Sequence, residues 1–155
     1  MTPAASTRPK RPPRGSRARC LLLTHGPDDA VAVRLTSLVH PHALIDPLRH
    51  RWIPRGPDTP REARLGDAVG LLSDTHREAV TAWWLAVRKR ANTPNWDIAA
   101  TATIGGREGL VLVEAKAHDR ELKNDGKPTG NADNHRQIEA ALGEATLGLN
   151  AISPG

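Results

Sequence analysis

At 155 residues the chain has the length of one domain, since domains cluster at about 100–150 residues. Its 22 Lys and Arg outnumber its 17 Asp and Glu by five, but residues 1–19 hold six basic groups and no acid, which leaves the rest at 16 against 17, a net of −1. That split excludes a basic nucleic-acid platform in the folded part. Cys20, the one cysteine, excludes an internal disulfide and a cysteine-built zinc cluster and suits a reducing, cytoplasmic setting. Phe and Tyr are absent and Trp52, Trp83, Trp84 and Trp96 are the aromatics, so a base-stacking platform is excluded as well. Leu21 to Leu23, the longest purely apolar run near the start, is far short of the roughly 20 residues that span a bilayer, so no membrane partner is expected.

Residues 1–19, with Pro3, Pro9, Pro12 and Pro13 among Arg8, Lys10, Arg11, Arg14, Arg17 and Arg19, predict a disordered basic tail ahead of a single domain over 20–155. The tail reads either as a solvated extension or as a polyanion-binding arm. Cys20 to Thr24 predicts a short buried strand. Gly26-Pro27-Asp28-Asp29 then opens a helix with acids facing its dipole, an apolar stripe of Val31, Leu35, Leu38 and Val39, and a stop at Pro41. From His40 to Pro60 the density of Pro, Arg and His predicts irregular connection with one short strand at Ala43 to Asp46. A second helix starts at Thr75, where Thr75-His76-Arg77-Glu78 fits a capping box, with Val80, Trp83, Trp84 and Val87 inward and Arg88-Lys89-Arg90 at its close.

Beyond Pro94 the hydrophobic period changes from helical to two. Trp96 to Thr103 and Leu110 to Ala117 predict strands, joined through the glycine-rich Ile104 to Gly109. Residues 119–131 read as a polar loop. A last helix from about Ala132 to Leu149 is expected to bury Ile138, Ala141, Leu142, Ala145 and Leu149.

The chemistry concentrates on the second of those strands. Leu110, Leu112, Glu114, Lys116 and His118 share one face and Val111, Val113, Ala115 and Ala117 the other. Ionisable groups on such an apolar strand are costly unless they pair or bind a metal. The lysine is itself informative in a chain of 17 Arg and 5 Lys, because a compact ammonium serves beside a water as a guanidinium cannot. A hairpin centred between Gly106 and Arg107 sets Asp97 opposite Lys116 and diagonal to Glu114. Two carboxylates and a lysine then converge, a set suited to Mg²⁺. The plainer account is an exposed salt bridge worth about 0–1 kcal/mol.

Pro94-Asn95-Trp96-Asp97 followed by Glu114-Ala115-Lys116 resembles the PD-(D/E)XK nuclease superfamily, the restriction-endonuclease-like phosphodiesterases. The longer run Asn92 to Ile98 with Leu112 to His118, then Asn134-His135 and Ile138, is similar to a bacterial branch of it, and the resemblance covers about residues 60–150. It implies a mixed α/β fold whose restriction-endonuclease-like core is a central β-hairpin flanked by helices. It also implies hydrolysis of nucleic-acid phosphodiesters, DNA before RNA, with Mg²⁺ or Mn²⁺. By that resemblance Asp97 and Glu114 hold the metal, the Ala115 carbonyl is a further ligand, and Lys116 positions or polarises the attacking water. His118, Asn134 and His135 become candidates for substrate contact. Glu78 fits either the acid that family members place on their first helix or its local capping box, and Glu62 is an alternative acid. His40-Pro41-His42 has metal-like spacing but reads as loop surface. The family core places a further strand between its first helix and the Asp-bearing strand, and another after its second helix. Few residues separate Arg90 from Asp97, and Asn150 to Gly155 alone follow the last helix. The expectation is therefore the front part of a longer relative that self-associates, with a catalytically inactive remnant or binding module as the alternative.

Overall fold

The computed structural model describes residues 13–89, 91–118 and 131–152; most of the expected tail, residues 1–12, and the expected polar loop over 119–130 lie outside the described residues. The first departure from expectation is at Cys20 to Thr24, which is not a strand. Helix α1 runs over Gly15–Leu23, so residues 15–19 belong to a helix and not to the tail. A three-residue apolar run cannot distinguish a buried strand from one turn of helix. Here Cys20, Leu21 and Thr24 face inward while Leu22 is exposed, the spacing of a helix.

Helix α2 spans Asp28–Val39 behind Pro27, with Asp28 and Asp29 in its first turn. Val31, Ala32 and Leu35 are buried, whereas Leu38, expected in the stripe, is exposed. Two short strands follow, β1 over Ala43–Leu44 and β2 over Trp52–Ile53. The second emerges from sequence that predicted only irregular chain. Both pair antiparallel with the same edge of β5 (Ile98–Ile104), at Thr103–Ile104 and at Ala99–Ala100. The other edge of β5 carries β6 (Arg107–Val113) through seven residue pairs.

Because β5 is central, its residues are small on both faces, with Thr101 and Thr103 sharing a face with Ala99. Ile98, Ala100 and Ala102 pack with Cys20, Val31, Leu35 and Trp52 beneath α1 and α2. Ala99 packs on the other side with Ala63 and Leu71, next to Trp96 and Leu110. That second face is covered by a two-stranded ribbon of β3 (Ala63–Arg64) and β4 (Asn95–Trp96). The architecture is mixed α+β, with four helices among the described residues, none long and apolar enough to cross a membrane.

Helix α3 covers Asp74–Trp84 and is capped by Ser73, whose Oγ accepts from His76 N at 3.3 Å. The capping box at Thr75 does not form, because the cap sits two residues earlier, and Glu78 is exposed. The expected buried stripe is shallow: Val80, Trp83 and Trp84 are half-buried and Val87 is exposed. Helix α4, Ala132–Ile152, is capped by Asn131, whose Oδ1 accepts from Asp133 N and Asn134 N. It lies against α3 through Gln137 Nε2 to Trp83 O and Trp83 Nε1 to Glu144 Oε2, both 2.7 Å. At 1.5 Å per residue α4 is about 31 Å long and α3 about 16 Å. The longer helix therefore overhangs: Ala141 is buried and Ile138 and Ala145 half-buried, but Leu142 and Leu149, expected inside, are 53% and 69% exposed.

Candidate functional site

The β5–β6 hairpin turns on Gly105 and Gly106, both in the left-handed region at φ 55° and 78°. Two consecutive positive φ values are what a two-residue type I′ turn requires, and Ile104 pairs with Arg107 across it. The turn centre thus lies one residue before the expected one. Every partner shifts by two, which keeps each side chain on its expected face. The expected pairing of Asp97 with Lys116 does not form: the last pair is Ile98 with Val113, and Asp97 and Glu114 are the next residues on either chain.

The ladder ends at Ile98 and Val113, because the chain leaves β5 at Asp97 to pair Asn95–Trp96 with β3. Ala115 N would then lack a strand partner. The Asp97 carboxylate supplies one, accepting that N–H on Oδ2 at 2.8 Å. Past the ladder the alternation persists to residue 118: Ala115 and Ala117 are half-buried, and Glu114, Lys116 and His118 are exposed. Ala115 packs with the α1–α2 core. Lys116 Nζ forms an ion pair with Glu114.

Helix α1 stands beside this strand end, where a Cβ on Gly15 would lie 3.5 Å from Ala117 Cβ. The Cys20 thiol is pushed above its ordinary pKa, first by burial and then by the negative charges of Asp97 and Glu114. One buried sulfur therefore feels both carboxylates. Nothing in the sequence pointed to Cys20 as a neighbour of the site, because its segment read as a strand.

A second polar cluster adjoins the first. Glu62 is ion-paired with Arg17 of α1 and accepts from Asn95 Nδ2 at 2.9 Å, while Asn95 Oδ1 accepts from Arg64 Nε at 2.7 Å. Glu62 is thus tied to a residue two before Asp97. The roles of Arg17 and Asn95 were not legible: Arg17 read as tail, and Asn95 carried no assigned function.

The remaining candidates are placed elsewhere. Asn134 is buried, and its amide accepts from Val87 N at 2.7 Å and donates to Val87 O at 2.9 Å, so it clamps the chain after α3, while Asn131 caps α4. His135 is exposed and lies 3.1 Å from Glu139. Among the described residues no hydrogen bond or ion pair joins either to Asp97, Glu114 or Lys116. His118 is exposed at the strand end, and His40 and His42 are exposed loop residues.

Among the described residues no three His, Cys, Asp or Glu side chains form a group that could hold a metal. The oxygens present are the carboxylates of Asp97 and Glu114 and the Ala115 carbonyl. That hard donor set fits Mg²⁺ or Mn²⁺, because Mg²⁺ usually takes one or two carboxylates and completes its shell with water and substrate oxygens. In comparisons with known proteins the chain matches no family model, no curated protein and no solved structure.

Proposed function

We propose that this chain is a metal-dependent phosphodiesterase of the PD-(D/E)XK type, built on a restriction-endonuclease-like core and acting on nucleic acid, with DNA the first substrate to test. The observation that carries the reading is the end of the β5–β6 hairpin, where the Asp97 carboxylate accepts from Ala115 N, the residue between Glu114 and Lys116, and the Lys116 ammonium lies on the Glu114 carboxylate. Strands β1 and β2 cover the edge of β5 opposite β6, but they precede α3, so they do not stand in the chain position of the further strand that the family core places between its first helix and the Asp-bearing strand.

In this reading Asp97, Glu114 and the Ala115 carbonyl would hold Mg²⁺ or Mn²⁺, which when bound supplies Lewis acidity at the phosphoryl group. Asp97 has a second task, since its bond to Ala115 N fixes the peptide plane at the strand end. Lys116 keeps a compact positive charge at the same locus, suited to orienting a water and to stabilising charge that develops on the phosphoryl oxygens. The Glu114–Lys116 pair also satisfies itself without a cation, and that observation favours the second reading, a binding module of the same core without hydrolytic activity.

Cleavage of plasmid and labelled oligonucleotides with Mg²⁺ or Mn²⁺, and with EDTA, separates the two. The phosphodiesterase cleaves only with metal, and Asp97→Asn, Glu114→Gln or Lys116→Ala each reduces the rate by about 10²-fold or more, the scale of losing one charge-stabilising group. Absence of cleavage together with absence of Mn²⁺ binding by calorimetry would overturn the phosphodiesterase and leave the catalytically inactive remnant or binding module.

A further inference from the structure

The β2 edge of the sheet carries a hollow of about 360 Å³ lined by Arg51, Trp52, Ile53, Arg55, Thr59, Arg61 and Val69. Three arginines are among the residues that line it, and no Asp or Glu is. We propose that this hollow is an oxyanion site that takes phosphate groups, either those of a polynucleotide backbone or those of a free phosphate compound. It is separate from the hydrolytic reading, because none of Asp97, Glu114 and Lys116 lines it.

The arginines are held in place by neighbours outside the hollow. Arg55 lies over the Trp52 ring, 4.8 Å from its centroid, and is ion-paired with Asp28 of α2. Arg61 is ion-paired with Asp67. Both pairs are solvent-exposed, a class worth only about 0–1 kcal/mol, so they orient the guanidinium groups without neutralising them against a stronger phosphate partner. Arg51 has no carboxylate partner among the described residues. Its side chain crosses Gly70, where a Cβ would stand 3.6 Å from Cδ and Nη1. Prepositioned guanidinium forks lose little entropy on binding and match two phosphate oxygens at once.

The rest of the lining fixes the ligand class. Trp52 is 2% exposed, so its ring forms the floor and is not free to stack on a base. Ile53 and Val69 offer no hydrogen bonds. Thr59 donates its hydroxyl to Arg55 O at 3.1 Å, so the hollow offers a ligand chiefly charge, as phosphate contacts require, and no stacking surface for a base.

The test measures binding of a fluorescein-labelled 20-residue oligonucleotide to the full chain by polarisation, in EDTA so that hydrolysis plays no part. Arg51→Glu and Arg61→Glu should each weaken binding about tenfold and flatten the slope of log K against log salt by about 0.7–0.9 per lost phosphate contact. Arg136→Glu, an exposed arginine on α4, controls for net charge and should change Kd less than twofold. Thermal melts, with Arg61→Gln as a milder variant, exclude unfolding as the cause. Competition by pyrophosphate at lower concentration than by unlabelled oligonucleotide assigns the site to free phosphate compounds, and the reverse order assigns it to polynucleotide. The proposal is overturned if the Arg51 and Arg61 variants behave like Arg136→Glu, or if the native chain binds neither ligand.

Discussion

Cys20 is the most informative single residue in the molecule, because it senses a pair of carboxylates that it does not touch chemically. Burial and the charges of Asp97 and Glu114 all favour its neutral thiol. Alkylation by iodoacetamide, which requires the thiolate, should therefore be slower than for a free cysteine at pH 8.5. Asp97→Asn and Glu114→Gln should each accelerate it, yet leave it slower than in unfolded chain, since burial is the larger cause. Equal rates in native protein and both variants would separate the carboxylates from the thiol. The sign of the linked stability follows. With its pKa raised in the folded state, Cys20 favours folding while both states are protonated. That contribution declines as pH rises from the unfolded pKa, about 8.5, through the folded one. At this scale the sequence was a good guide to residue types and a poor one to neighbours. The alternation over 110–118 assigned faces correctly, whereas Arg17, Cys20 and Asn95 acquire their roles from residues 33 to 94 positions away in the chain.

The hairpin decides the geometry of the site at the level of elements. Its ladder, and hence the point at which Asp97 and Glu114 leave it, is set by Gly105 and Gly106, the two turn residues with positive φ. Nothing lies within 4 Å of a Cβ built on either, so a substitution there meets no clash and reports backbone strain alone. Gly105→Ala or Gly106→Ala should each lower stability by about 1–2 kcal/mol, the cost of the left-handed region for an L-residue. Gly105→Asn should cost clearly less, because Asn tolerates that conformation. Urea unfolding resolves the difference, and equal losses for Ala and Asn would mean that the turn is not type I′. The adjacent glycines were visible in the sequence, but a six-residue connection with three glycines admits several centres, and only the closing pair Ile104 and Arg107 selects one. Helix α2 and the start of α4 were legible because period and end signals agree there. Strands β1 and β2, two residues each, are defined by pairing to β5 and not by any local pattern.

Charge and boundary meet at the level of the whole molecule. A body of net −1 hid the three arginines of the β2 hollow, because net charge averages over surfaces that a ligand meets one at a time. The N-terminal basic block is divided in the same way. Residues 1–12 contain Arg8, Lys10 and Arg11 and no acid, so removing them lowers the net charge from +5 to +2. Residues 15–19 instead form the first half of α1, the helix that buries Cys20 and Leu21, and Arg17 binds both Glu62 and the Pro60 carbonyl, the latter at 2.8 Å. A deletion of 1–12 and one of 1–19 should therefore differ in kind. Both weaken polyanion binding and flatten its salt dependence, as loss of basic groups requires. The longer deletion leaves four residues of α1, too few to sustain a helix, and removes the tie between that helix and the loop bearing Glu62. It should melt at least about 5 °C below the shorter one, the shift that roughly 1–2 kcal/mol produces in a domain of this size. Differential scanning calorimetry of the two truncated chains decides the matter: coincident melting curves would show that residues 13–19 add nothing to the fold.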